Sequence, residues 1–369
     1  MKSKKRIFIF ILLGLGLLCL AAAGISALSN RTLPAAPQPS GRLDSLDKQR
    51  LIEAVHLRQT LGNLVWPGFG QADIPIILWN RIDSFLVGIL QAPNGWEVVS
   101  GDEFEGSPYF HKKSSDPQNF AVPVDGAWAA SMATKSETDS FLIDVIRNFL
   151  PPVIKTIFPY RLVIQPSEVQ ITGVAHESFH VFQQMSAPER LAASEQAHKL
   201  GDRYWQADKT MSEDWQKEID LLYQADKAET DSEAARLAGE FLSQRQARRE
   251  KANLSSDLVD YERQLEWEEG LAKYVELAIW RMAYEHTGYI PGLMDDPDFK
   301  SYRTFPQRLK QEMNQMKRQA GQEGETRLYY TGMAQALLLD RLSPGWKEKA
   351  FNDGVWVEDL LRTAVTNGI

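Results

Sequence analysis

His176-Glu177-Ser178-Phe179-His180 holds the residue types and the spacing of a metal-assisted hydrolytic site. On a helix, residues four apart lie one above the other, so both imidazoles can reach a single ion. Glu177, beside the first histidine, is placed to accept a proton from water on that ion. A tetrahedral zinc site needs a third protein ligand from elsewhere and leaves its fourth position to water.

The histidines must stand on a helix, and the flanking sequence supplies one. Gln165-Pro166-Ser167-Glu168 is a start signal, with Pro and Ser at the boundary and an acid in the first turn. Val169 to Met185 contains no proline and carries apolar residues at helical spacing, and Pro188 marks the stop. Gln183 shares the face of His176 and His180. It is either a solvated helix glutamine or a contact to the ligands or the substrate.

A second helix is expected 89 residues after His180, around Trp267-Glu268-Glu269-Gly270-Leu271-Ala272-Lys273-Tyr274-Val275-Glu276. Taken alone, Glu266, Glu268 and Glu269 read as a solvated acidic face. Trp267, Leu271, Tyr274, Val275 and Leu277 make the helix too apolar to lie wholly at the surface. Together with HExxH, Glu269-Gly270-Leu271-Ala272 resembles the gluzincin zinc metallopeptidases, in which a glutamate on the next helix completes the site. The resemblance implies Zn2+ held by His176, His180 and Glu269, with Glu268 the competing ligand. It also implies Glu177 as general base and a peptide or protein substrate. Gly270 and Ala272 make independent sense, because a ligand-bearing helix must approach its partner closely.

The likeness covers about thirty residues and departs from the family in places. Glu268 stands where Asn is usual, and Lys273 where several gluzincins carry an acid that orients a histidine. The supporting partner of His176 or His180 must then be Glu276, Glu262 or a backbone carbonyl. The His180–Glu269 spacing is also long for the family.

Lys2, Lys4, Lys5 and Arg6 precede an uncharged apolar run from Ile7 to about Leu28, long enough to cross a bilayer. Residues 1–28 are expected to be a transmembrane anchor or a signal segment cleaved near Ala21-Ala22-Ala23, with the remainder extracytoplasmic or secreted. Cys19 is the only cysteine, so disulfides within the chain and cysteine-based zinc sites are excluded. Leu18 before it does not suit lipidation. Residues 29–42, with prolines at 34, 37 and 39, read as a linker. Leaving the four N-terminal basic residues aside moves the net charge from −8 to about −12, which argues against nucleic acid or anionic lipid as the main partner.

Residues 43–369 are expected to form one zinc metallopeptidase-like domain of α+β class. A helix over Leu43–Leu64 precedes a small sheet, with strands at Ile74–Trp79, Ser84–Gly88, Gly95–Val99 and Ala127–Ala133. The HExxH helix and a mostly helical C-terminal lobe follow. The sheet edge that could receive a substrate strand is expected at Asp125–Lys135, which reads equally as a core strand. About 189–252 is a helical insertion, and the charged run Gln244–Glu250 reads as a solvated face. His56, His111, His198 and His286 look isolated. Leu328–Asp340 reads as a buried helix, and its Tyr329 and Tyr330 are candidates for stabilising an oxyanion or simply core tyrosines. A catalytically silent zinc-binding scaffold on the same fold is the alternative reading.

Overall fold

Asp44 opens the first long helix, α1 (Ser45–Val65), by accepting a hydrogen bond from the Leu46 N–H at 2.9 Å, which satisfies a free donor of the first turn. The computed structural model describes residues 21–33, 40–293 and 295–367. Among these the chain is mixed α+β, mainly helical, with a six-stranded sheet.

The strands are β1 (Ile76–Trp79), β2 (Asp83–Val87), β3 (Glu97–Val98), β4 (Phe110–Lys113), β5 (Phe120–Val124) and β6 (Ala127–Ala133). Their order is β3-β4-β2-β1-β6-β5, with β1 and β6 parallel and all other neighbours antiparallel. Asp125 and Gly126, both at positive φ, make the two-residue turn from β5 to β6. Period-two alternation sends Ile76 and Leu78 to the helical side, and Ile77 and Leu86 to a smaller outer cluster with Trp96 and Phe110. The expected edge at Asp125–Lys135 is corrected: β6 is flanked on both sides, and β5 is the edge. Pro123 weakens the strand signal of β5, yet proline is tolerated where no further strand needs its N–H.

The principal helices that follow are α2 (Lys135–Phe149), α3 (Pro152–Ile157), α4 (Ser167–Ser186) and α5 (Pro188–Ala197). Next come α6 (Gly201–Asp208), α7 (Ser212–Lys227), α8 (Asp231–Lys251), α9 (Ser256–Leu265) and α10 (Leu271–Glu285). The chain closes with α11 (Phe305–Arg318), α12 (Thr326–Leu342) and α13 (Val357–Asn367). The HExxH helix is α4. It lies against β6, where Ala130 leaves room, and Gly173 meets Met132 so closely that a Cβ would stand 2.6 Å from Met132 Cε. Phe179, between the two histidines, is buried against Trp66 and Phe69 at ring distances of 4.9 and 5.5 Å.

The insertion overturns one expectation. Arg245, Arg248 and Arg249 on α8 are buried, not solvated. Packing of α7, α8, α9, α12 and α13 surrounds them with Glu218, Glu262, Glu266 and Glu358, forming an ion-pair lattice that also takes in Asp208, Arg263 and Arg327. An arginine run reads as surface because its partners are set by tertiary packing, up to 113 residues away.

Most of the apolar N-terminal run lies outside the described residues. Among the described residues no helix is long and apolar enough to cross a membrane. Asn30 donates from Nδ2 to the Phe158 carbonyl at 2.8 Å, so the start of the expected linker is tied to the segment after α3.

Candidate metal centre

Between α9 and α10 the backbone widens into one π-helical turn, Glu266–Gly270, and all five residues are buried. Such widened turns redirect side chains and are common at functional sites. Its three glutamates go to three places: Glu266 to Arg245, Glu268 to Ser194 and His198, and Glu269 to the two HExxH histidines. A solvated acidic face is thereby excluded. Gly270 is needed for a close approach, but to α12 and not to the HExxH helix: a Cβ there would stand 2.6 Å from Gly332 Cα.

His176 Nε2 and His180 Nε2 lie 3.3 and 3.4 Å from the same oxygen, Glu269 Oε2. All three ligand atoms fall within 4.8 Å of one another. A tetrahedral ion with bonds of ~2.0–2.1 Å separates neighbouring ligands by ~3.3–3.4 Å. A direct charge-assisted N–H···O bond would instead close to about 2.7–2.9 Å. His180 Nε2 and Glu269 Oε2 are, moreover, buried with no hydrogen-bond partner. Orphaned buried polar atoms are rare in folded proteins, and these two point at a common space. The residues fit a divalent metal.

Gln183 fixes which nitrogen of His180 is free. Its amide Nε2 donates to the carbonyls of Trp267 and Glu268 at 2.8 and 3.1 Å, which turns Oε1 toward His180 Nδ1 at 3.0 Å. Nδ1 must then donate, leaving the Nε2 lone pair to face Glu269. Beside His176 the corresponding group is Glu276, whose Oε2 stands 3.6 Å from Nδ1. Lys273 and Arg308 hold Glu276 at 2.8 and 3.1 Å, so Lys273 anchors an acid one turn on. Glu262, the other candidate, belongs to the arginine lattice.

Electrostatics follow from burial and these neighbours. Burial opposes charge on His176, but Glu269 and Glu276 outweigh it and hold the imidazole up at about 10. His180 is also raised, burial being overcome by Glu269, while Glu269 and Glu276 are held well below the usual carboxylate range against burial by the neighbouring cations. Glu177 is raised to about 7, chiefly by burial, with both histidines pulling the other way. Tyr329 stacks near His176, with ring centres 6.3 Å apart; burial and the Glu269 carboxylate push its hydroxyl above its ordinary value. Tyr330 turns away and donates to Glu312 at 2.8 Å. Of the two tyrosines only Tyr329 faces the centre.

Phe120, the first residue of β5, packs 4.5 Å from the His180 ring, so the free sheet edge borders the centre. His180 is fully buried, whereas His176 and Glu177 retain about a tenth of their surface, which sets the side from which solvent enters. Cavities of about 860, 680 and 270 Å3 lie beside the start of α1, between α7 and α8, and on the outer face of the sheet, and no candidate ligand lines any of them.

No family model, curated protein or solved structure matches the chain. His198, expected to be isolated, instead stands between Glu268 and Glu325, at 3.2 and 3.0 Å. The available signal was Glu195-Gln196-Ala197-His198, an acid and a histidine one helical turn apart.

Proposed function

We propose that this chain is a zinc-dependent hydrolase of gluzincin type, acting on peptide bonds. The observation that carries the reading is that His176 Nε2 and His180 Nε2 each stand at a tetrahedral ligand separation from Glu269 Oε2, two of the three atoms being buried without partners. A bound zinc ion would polarise the scissile carbonyl and acidify a coordinated water. Glu177, raised to about 7, is a base matched to neutral pH: it takes the water proton and returns it to the leaving amine. The hydroxyl of Tyr329 is the group on hand to donate to the oxyanion. The free edge of β5, beside His180, suits an extended peptide added as a further strand.

The site is proposed to work outside the cytoplasm, tethered by the N-terminal segment. Phe149, Val153 and Leu162 are strongly exposed, and the stretch that carries them is pinned to Asn30, just after the apolar run. Apolar side chains presented there suit a membrane surface.

The test is Glu177→Gln, read as zinc content and peptide-library cleavage on one preparation of the full chain. The amide matches the acid in size but accepts no proton, so zinc and fold should persist while the rate falls ~10²–10⁴-fold. A variant as active as wild type would remove Glu177 from the mechanism. A wild type that holds zinc yet cleaves nothing, and binds a protein partner with or without Glu177, would favour the silent scaffold.

A further inference from the structure

We propose that Glu195, His198 and Glu268 form a second divalent-cation site, distinct from the one served by Glu269 and independent of the hydrolase reading. One ligand atom from each lies within 4.8 Å of the others. Glu195 and His198 stand one turn apart at the end of α5, and the π-helical turn delivers Glu268 from the opposite side.

The case rests on charge left uncompensated. Glu268 is fully buried; its Oε2 accepts from Ser194 Oγ and faces His198 Nε2 at 3.2 Å, while its Oε1 is buried with no hydrogen-bond partner. His198 lies between Glu268 and Glu325 and is the only base within ion-pair range of either among the described residues. Glu195 adds a third carboxylate, with an oxygen within 4.8 Å of the Glu268 and His198 ligand atoms. Three acids around one imidazole is the reverse of the arginine lattice nearby, where every buried acid has a guanidinium. A cation supplies what the protein does not.

The surroundings also fit. Glu325 Oε1 faces His198 Nδ1 at 3.0 Å and accepts from the Tyr261 hydroxyl at 3.2 Å. A carboxylate on Nδ1 keeps the proton there and leaves Nε2 as the ligand, the carboxylate–histidine–metal arrangement. Glu195 is exposed, and the side chains of His198 and Glu325 are about one-third exposed, so an ion has a route in. One imidazole with two carboxylates suits a borderline first-row cation such as zinc or manganese.

The experiment is equilibrium dialysis of the full chain against Zn2+ followed by metal analysis. Wild type should hold two ions, Glu195→Gln one, His176→Ala one and the double variant none, each with wild-type circular dichroism. Glu195 is exposed, so its variant is expected to fold; His198→Gln is the second probe should it not. Unchanged stoichiometry in folded Glu195→Gln and His198→Gln overturns the proposal. A single ion in wild type that is lost with His176→Ala also overturns it and leaves the hydrolase reading intact. A single ion lost with Glu195→Gln but kept with His176→Ala upholds the second site and removes the metal from the first.

Discussion

Glu266 and Glu269 lie three residues apart on one turn, both buried, in opposite kinds of charge environment. Glu266 accepts two parallel bonds from Arg245, at 2.7 and 2.8 Å, and a third from Thr331. It is one of five acids (Asp208, Glu218, Glu262, Glu266, Glu358) matched by five arginines (Arg245, Arg248, Arg249, Arg263, Arg327). Among the described residues Glu269 has no arginine or lysine within ion-pair range. Its Oε2 meets two imidazoles beyond direct hydrogen-bond range and is otherwise unpartnered. Burial of charge is therefore not what marks a candidate site. The lattice is electrically closed and reads as structure, whereas the histidine–glutamate cluster is open by the measure of one cation.

The largest effects should come from breaking each region at its glutamate. Glu266→Gln removes the two shortest carboxylate contacts of Arg245, leaving Glu218 and Glu358 at 3.2 and 3.4 Å, and should cost about 3 kcal/mol in denaturant unfolding, with zinc retained. Glu269→Gln should do the reverse, weakening zinc by more than the ~10–100-fold typical of losing a mere supporting group, with a much smaller loss of metal-free stability. Equal destabilisation by both variants, with equal zinc retention, would erase the distinction.

Acid separates the regions a second way. Burial opposes ionisation of Glu262, but Arg248, Arg249 and Arg245 hold it down at about 2 from an ordinary 4.5. A depressed carboxylate contributes stability above its unfolded value and loses it as pH falls from 4.5 through 2. His176 runs the other way. Its metal-free value is about 10 and the ligand must be deprotonated, so zinc affinity should fall steadily as pH drops from 9 to 5. Between pH 5 and 9 zinc binding should change while the lattice contribution stays level, as read by paired zinc titrations and unfolding curves.

A smaller effect is expected at Gln183. Replacement by Leu frees His180 Nδ1 and unties the carbonyls of Trp267 and Glu268, and should weaken zinc ~10–100-fold by competition titration. An unchanged affinity would mean that packing alone orients the imidazole.

The parts legible in sequence were local. The α4 start at Pro166-Ser167, the four-residue histidine spacing and the short apolar runs of β1 and β2 each depend on neighbours in the chain, and the structure has them as expected. Glu269 needed a resemblance, because no local rule separates it from Glu266 or Glu268. What escaped was set by distant packing: the arginines of α8, whose acids come from five other elements, and His198, whose partners lie 70 and 127 residues on. Strands β4 and β5 were missed because Phe110-His111-Lys112-Lys113 has no alternation and Pro123 interrupts its run.

The most direct measurement is anomalous diffraction at the zinc edge from crystals of the full chain grown with Zn2+. The expected result is a peak ~2.0–2.2 Å from His176 Nε2, His180 Nε2 and Glu269 Oε2 together, with Glu177 close by but outside bonding distance. Well-ordered crystals with His180 hydrogen-bonded directly to Glu269 and no peak between them would contradict it.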